Sequence, residues 1–404
     1  MRGKKTKMNL IKTPYLQLPE NDGITIMWET DVASTSQVLV REAFCPECGN
    51  AAYRPRGEPR IFSGDGGYMH KVNVTGLESG KDYCYQVVSS TAEAKRTSDH
   101  LVFRTKPEEH GAFSFAVTSE TGGSGSPARI IETLVKAIAA ERPDFLLFAG
   151  DMVSDGRRKQ DWDDFLFTPF RGLIAHTPFY HCAGNHEKHA EYMKEFFATS
   201  KRGYYDFTYG CAHFIALDST QLADYTRDEE GHCVAMKPVR GLTKDNPQIA
   251  FLADSLEKSN ARWKFVFLHY PLYVSATWAG TVLRPLCEVF EKYRVDMVFT
   301  SHAIVYERSH PIRNDSIDFS NGVRYIVVGG AGEKPDWFHH KKAWHTAKSR
   351  AVPHFAHVSV TPQQLELQAI DLDGRLFDTM LIKKPKAIPH TRSTSISARQ
   401  AKKP

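Results

Sequence analysis

The stretch DFLLFAGDMVSDG, Asp144 to Gly156, decides the architecture of the larger part of this chain. Phe145 to Ala149 are apolar without interruption, the pattern of a short strand buried on both faces. The run then stops at Gly150 and Asp151. A carboxylate at the carboxyl end of such a strand stands on the face where layered α/β domains bind their ligands.

Reading outward, the arrangement recurs. FYHCAGNHE ends at Asn185 and His186, FVFLHYP reaches His269, and DMVFTSHAIVYER reaches His302. FSFAVTS, from Phe113, is a further strand. Helical spacing is expected between the strands, over Pro127–Arg142, around Gln248–Glu257 and around Val282–Tyr293. Strand alternating with helix predicts a layered α/β domain over residues 113–382, closed by β-rich segments such as HFAHVSV and LELQAID. Residues 13–106 read differently. GITIMWET, SQVLVRE, HKVNVTGL, YCYQVVSS and LVFRTK are short β-rich runs broken by Gly, Ser and Asp, which predicts an all-β sandwich with Trp28, Tyr83 and Tyr85 in its core. KPEEHG, Lys106–Gly111, marks the expected linker, bounded at 107–112.

Composition narrows the function. The chain has 404 residues, 41% hydrophobic and 25% charged, suited to two soluble globular domains. The net charge of +5 is carried by the ends: residues 1–12 hold five Lys/Arg and residues 383–404 hold seven, with no acid in either, which leaves −7 for the body. A body of that sign argues against nucleic acid as the main partner, and the ends read as a basic N-terminal arm and a basic disordered tail. No apolar run approaches the roughly 20 residues of a membrane span. The N-terminus has no apolar core of a secretory signal, so a cytoplasmic protein is the default expectation. Cys45 and Cys48 form a C-x-x-C without a second pair at zinc-ribbon spacing, read as a local disulfide or two free thiols.

The strand-end residues form a coherent ligand set. Asp151, Asn185, His269 and His302 offer a carboxylate, an amide oxygen and two imidazoles, which suits Zn²⁺, Mn²⁺ or Fe²⁺ better than Ca²⁺ or Mg²⁺. With GDMVSDG, GNHE, LHYPLY and SHAIVYER in this order, the chain resembles the calcineurin-like metallophosphoesterases. The Y-E-R ending and the segments PYLQLPENDGITIMWET and VNVTGLESGKDYCYQV resemble the purple acid phosphatase branch with its fibronectin type III-like N-terminal domain. The resemblance implies an α/β/β/α sandwich, hydrolysis of phosphate monoesters or diesters, and a site of two metal ions. It implies that Asp151, Asn185, His269 and His302 hold one ion, that Asp151 bridges to the other, and that His186 stands beside the phosphate as ligand or proton donor.

The second ion is where the chain departs from the family. Glu120 stands at the place of an Asp and keeps a carboxylate, one methylene further out, so it is retained among the candidate metal ligands; Gly122 stands at the place of a His, Ser154 at that of a Tyr, and Ile304 at that of the second His of the last motif. One ion is expected and the second is in doubt, so weak activity is expected. The alternative is a non-catalytic protein of this fold that binds one metal and a phosphate ligand or protein partner. Asp155, His181 and His310 are weighed as substitute ligands. Arg157, Arg158, Tyr273, Tyr306, Trp278, Trp337 and Trp344 are weighed as lining of the cleft. If the end of the last strand is extended, His302 and Ile304 share a face, and the isoleucine points into the missing coordination position.

Overall fold

A computed structural model describes residues 8–44, 54–122, 128–230, 233–239 and 241–385. The Cys45/Cys48 pair and residues beyond 385 lie outside the described residues. The N-terminal part is built from the strands Leu10–Glu20, Gly23–Phe44, Arg54–Val74, Asp82–Ser90, Lys95–Thr97 and Leu101–Arg104. GITIMWET and SQVLVRE are one continuous 22-residue strand. Its register against Arg54–Val74 shifts between Glu29 and Ser34. Such irregularities bend and twist a long strand, and they let one strand do what two short ones were expected to do. Trp28, Tyr83 and Tyr85 lie in its core with Leu16, Ile26, Val72 and Phe103.

The second part is a sandwich of two sheets with helices outside. One sheet orders Leu376–Lys383, Gln364–Asp371, His354–Val360, Phe113–Thr118, Phe145–Phe148 and Phe179–His181; the other orders Tyr205–Tyr209, Ala212–Ala216, Trp263–Phe267, Met297–Thr300, Arg324–Val328, Tyr306–Ser309 and Thr346–Arg350. Phe113–Thr118 runs parallel to Phe145–Phe148, which runs parallel to Phe179–His181. In the other sheet Ala212–Ala216, Trp263–Phe267, Met297–Thr300 and Arg324–Val328 are likewise parallel. Between the sheets pack Phe115, Phe145, Phe214, Phe265 and Phe299. Helices Ala128–Glu141 and Thr168–Ile174 cover the outer face of the first sheet, Pro247–Lys258 and Leu286–Lys292 that of the second. Burial on both faces is why these strands read as unbroken apolar runs. No helix among the described residues is long and apolar enough to cross a membrane.

The N-terminal arm is shorter than its charge suggested. The first strand begins at Leu10, and Lys12 is 1% exposed. Its Nζ lies 2.6 Å from Glu29 Oε2 and 2.8 Å from Asp163 Oδ1, above the rings of Phe167 and Phe196. Asp163 belongs to the second part of the chain, so a lysine counted with a solvated tail is instead a clasp between the two parts. Tyr15 Oη donates to the Phe196 carbonyl at 2.9 Å and Tyr85 Oη to that of Ala175 at 2.7 Å across the same boundary.

Candidate metal centre

The parallel strands of the two sheets bring their carboxyl ends to one place, and each chain segment turns sharply as it leaves its strand. Glu120, Asp151 and His302 follow strands and adopt left-handed backbone, with φ of +62°, +50° and +68°. Non-glycine residues rarely adopt this conformation, and such strain gathers at functional sites. Glycines let the turns close: a side chain on Gly150 would meet His269 Nδ1 at 2.7 Å, and one on Gly184 would collide with the Asp151 carboxylate.

Four donor atoms converge there. His269 Nε2 lies 3.1 Å from Asp151 Oδ2, 3.1 Å from Asn185 Oδ1 and 3.1 Å from His302 Nδ1. One ligand atom from each of Asp151, His269 and His302 lies within 4.8 Å of the other two. His269 Nδ1 is 2.9 Å from the Ala149 carbonyl and donates to it, which fixes the ring with Nε2 facing the cluster. Tyr225 Oη sits on His302 Nε2, so the opposite ring nitrogen of His302 faces inward. The electrostatics match a cation. Asp151 and Glu120 are 4% and 2% exposed. Burial would raise the Asp151 carboxyl, yet the charge and hydrogen bond of His269, with His186 and His302, hold it well below the usual range. Burial and the neighbouring Asp151 push Glu120 well up. Burial would lower His269, but Asp151 and Glu120 bring it up to about 10. Burial and the charge of His269 take His302 down to about 3. Buried carboxylates crowded in this way call for positive charge between them.

His186 borders the cluster, with its side chain 40% exposed. Its backbone N–H donates to Asp151 Oδ1 at 2.8 Å, its Nδ1 donates to the Ser154 carbonyl at 2.7 Å, and its Nε2 lies 4.0 Å from Asp151 Oδ2. The imidazole thus turns Nε2 toward the centre.

Beside Asp151 the donors thin out. Glu120 Oε1 accepts the His302 N–H at 2.7 Å and the Ser301 hydroxyl, and it is 3.8 Å from His269 Nδ1. The Ser154 hydroxyl donates to the Gly122 carbonyl. The reading of Ile304 as sharing a face with His302 fails. Residues 301–305 are a bend, with Ala303 N–H on the Ser301 carbonyl and Val305 N–H on that of Ala303, both at 2.8 Å. The left-handed φ of His302 breaks the alternation of an extended strand. Ile304 is 8% exposed, and Asp336 holds it by accepting its N–H at 2.9 Å.

The substitute ligands are engaged elsewhere. Asp155 is tied to Arg157, at 2.9 Å from its Nε, and Arg158 to Asp161 at 2.7 Å. His181 is buried against Phe197 and Tyr205, and the His310 ring lies against Phe319. Tyr306 is buried in its sheet with its hydroxyl on Asp378, and Tyr273 pairs with Asp315. Trp344 packs on Tyr273 and His345, Trp337 is 69% exposed, and Trp278 stands beside His302. Two residues acquire roles the sequence reading left out. Glu187, fully buried, accepts the Asp151 N–H at 3.0 Å, the Gly184 N–H at 2.5 Å and the Met152 N–H at 2.7 Å, and so fixes both turns that carry oxygen donors. Its place in GNHE was the available signal. Tyr225 lies on the hairpin of Ala223–Arg227 and Cys233–Pro238, which carries no motif.

Residues 113–306 match the calcineurin-like phosphoesterase family, and residues 11–105 match the purple acid phosphatase N-terminal domain. A phosphoenolpyruvate phosphatase of Allium cepa is 26% identical over 277 residues, 65% of this chain and 54% of that protein, so the chain spans about half of that relative's length. Acid phosphatase type 7 of Mus musculus is 24% identical over 416 residues, 91% of this chain and 89% of that one. Among solved structures, purple acid phosphatase PPD1 from yellow lupin (Lupinus luteus) seeds shares the fold with a TM-score of 0.74 at 18% identity, over 92% of this chain and 74% of that one.

Proposed function

Because this chain joins a purple acid phosphatase N-terminal domain to the domain of the calcineurin-like phosphoesterases and belongs with them, we propose that it is a metal-dependent hydrolase of phosphate monoesters or diesters. Its relatives include proteins named as acid and purple acid phosphatases. In this reading Asp151, Asn185, His269 and His302 hold one divalent transition metal ion, and His186 faces the phosphate. The observation that carries it is the approach of three donor atoms, Asp151 Oδ2, Asn185 Oδ1 and His302 Nδ1, to a fourth, His269 Nε2, each 3.1 Å from it. That donor set suits Zn²⁺, Mn²⁺ or Fe²⁺. When bound, the ion supplies positive charge to the phosphoryl oxygens and to the attacking water.

The chain's own residues do the rest. The Ala149 carbonyl and Tyr225 set the ring orientations of His269 and His302. Glu187 holds the Asp151 and Asn185 turns in register through three backbone N–H groups. His186, anchored through Nδ1, presents Nε2 to the leaving alkoxide and can deliver a proton to it.

The residues do not fit a second ion. Asp151 keeps the bridging position, but of the other places where the family supplies a ligand, Gly122 has no side chain, Ile304 is apolar, and Ser154 gives its hydroxyl to a carbonyl. Glu120 commits one oxygen to the His302 turn. Without a second ion, turnover is expected to be slow. The same departures support a second reading, in which the chain binds one metal and a phosphate-bearing ligand or a protein partner without hydrolysis. One experiment separates them: the purified protein, loaded with Zn²⁺, Mn²⁺ or Fe²⁺ in turn, is assayed against a phosphate monoester and a phosphate diester, with His186→Ala beside it. Turnover that falls in the variant supports the hydrolase; bound metal and phosphate without turnover supports the second reading.

A further inference from the structure

Tyr225, Tyr270 and Trp278 form an aromatic corner on the outer side of His302. The Tyr270 and His302 ring centroids are 4.9 Å apart at 73°, those of Trp278 and His302 6.0 Å apart at 62°. Tyr225 stands edge-on to both others, 5.9 Å from Tyr270 at 77° and 5.9 Å from Trp278 at 84°. Packing explains Tyr270, which is 1% exposed, but not Trp278, 46% exposed with a φ of +67°. An exposed indole in left-handed backbone costs strain and recovers little burial. Its loop is nevertheless pinned on both sides: Ala276 pairs with Phe338, and the Gly280 N–H donates to the Pro271 carbonyl at 2.7 Å. The indole is thus held fixed, partly open, beside a residue of the candidate metal centre.

We propose that this corner receives the alcohol half of the substrate, and that this half is a planar aromatic ring. The inference rests on the reading of the centre as a phosphate-ester site. With the phosphoryl group between His186 and His302, a ring on the ester oxygen meets the open part of Trp278. Rings favour offset-stacked or edge-to-face contact with an indole, a preference an alkyl group does not share. The ring is either joined directly to the ester oxygen, as in an aryl phosphate, or set one sugar away, as in a nucleotide.

The test uses two phosphonates that cannot be hydrolysed. Phenylphosphonate and methylphosphonate are titrated calorimetrically into the metal-loaded full chain, into Trp278→Gly, and into Trp278→Phe. Glycine suits the left-handed φ, so the first variant removes the indole without backbone strain. The ratio of the two dissociation constants is expected to favour phenylphosphonate about tenfold in the wild type, in keeping with the size of aromatic pair energies. It is expected to persist in Trp278→Phe and to fall to about one in Trp278→Gly. Titrations of 4-(phosphonomethyl)phenylalanine and of the non-hydrolysable 5′-phosphonate analogue of adenosine monophosphate, run alongside, tell the two kinds of substrate apart by which of them loses affinity in Trp278→Gly. Equal affinities in the metal-loaded wild type, or a ratio unchanged in Trp278→Gly, overturns this proposal alone. A chain that binds neither metal nor phosphonate overturns the reading of the centre and this proposal with it.

Discussion

Replacing Glu187 by glutamine tests whether the centre depends on a residue that offers no donor to the metal itself. The carboxylate accepts three backbone N–H groups: two through Oε2, from Asp151 at 3.0 Å and Gly184 at 2.5 Å, and one through Oε1, from Met152 at 2.7 Å. Glutamine keeps only one acceptor oxygen. Its best arrangement retains the Asp151 and Gly184 bonds in weaker, uncharged form and turns an NH₂ group toward the Met152 N–H. One charge-assisted bond lost and two weakened sum to about 3 kcal/mol at a fully buried position. At the lower end of the shift per kcal/mol, for a large chain, that is a melting temperature lower by roughly 6 °C. The sharper consequence is at the centre. The turns carrying Asp151 and Asn185 lose their common anchor, and metal affinity should fall by roughly 10–100-fold. Chelator competition with Zn²⁺ reads the affinity and calorimetry reads the melt. Glu307→Gln is the control: Glu307 is also buried and bonded to Ser275 and Thr346, but holds no donor turn. It should cost stability and leave metal affinity near that of the wild type. If Glu187→Gln binds Zn²⁺ as tightly as Glu307→Gln does, the argument that Glu187 holds the donor set together is wrong.

The clasp at Lys12 gives a second expectation: Lys12→Ala strips the buried Glu29 of one of its two lysines and should destabilise the protein by about 3–5 kcal/mol, as broken buried ion pairs do; urea unfolding checks it, and a loss under 1 kcal/mol would contradict it. Acid should weaken the N-terminal part through His70, which is fully buried between hydroxyls of Thr30 and Ser36 and whose imidazole burial brings down to about 4. A folded pKa below the unfolded value of about 6.5 means the unfolded chain binds more protons, so the stability His70 contributes is complete above pH 6.5 and is lost as pH falls toward 4, up to about 3 kcal/mol. A His70→Gln variant should show a shallower loss over that range, and identical slopes would refute the assignment. Restoring the missing donors together, as Glu120→Asp, Ser154→Tyr and Ile304→His, should raise metal content and turnover, whereas Ile304→His alone should change little because the bend at 301–305 directs residue 304 by its own geometry; a triple variant that folds, binds two ions and hydrolyses nothing would locate the defect elsewhere.

What the sequence made legible follows from periodicity and from the polar ends of strands. Runs such as Phe145–Phe148 and Met297–Thr300 are apolar because both faces are covered, so the α/β layers and the polar strand ends could be read directly. The convergence of Asp151, Asn185, His269 and His302 was accessible because parallel strands bring their ends together. Conformations that depend on a single φ were not legible. His302 in left-handed backbone reorients Ile304, and no periodic pattern announces that. Lys12 could not be told from a tail lysine, because its partner Asp163 lies 151 residues away and the ion pair is created only by docking of the two parts. Tyr225 was invisible for the same reason, its contact with His302 spanning 77 residues.

The chain is expected to build one metal position and not two. Elemental analysis of the purified protein, after loading with excess Zn²⁺ and removal of the free ion, tests it most directly, with His269→Ala measured in parallel. Close to one ion per wild-type chain and close to none in His269→Ala are expected. Two ions per chain, or one ion that survives the loss of His269, would contradict it.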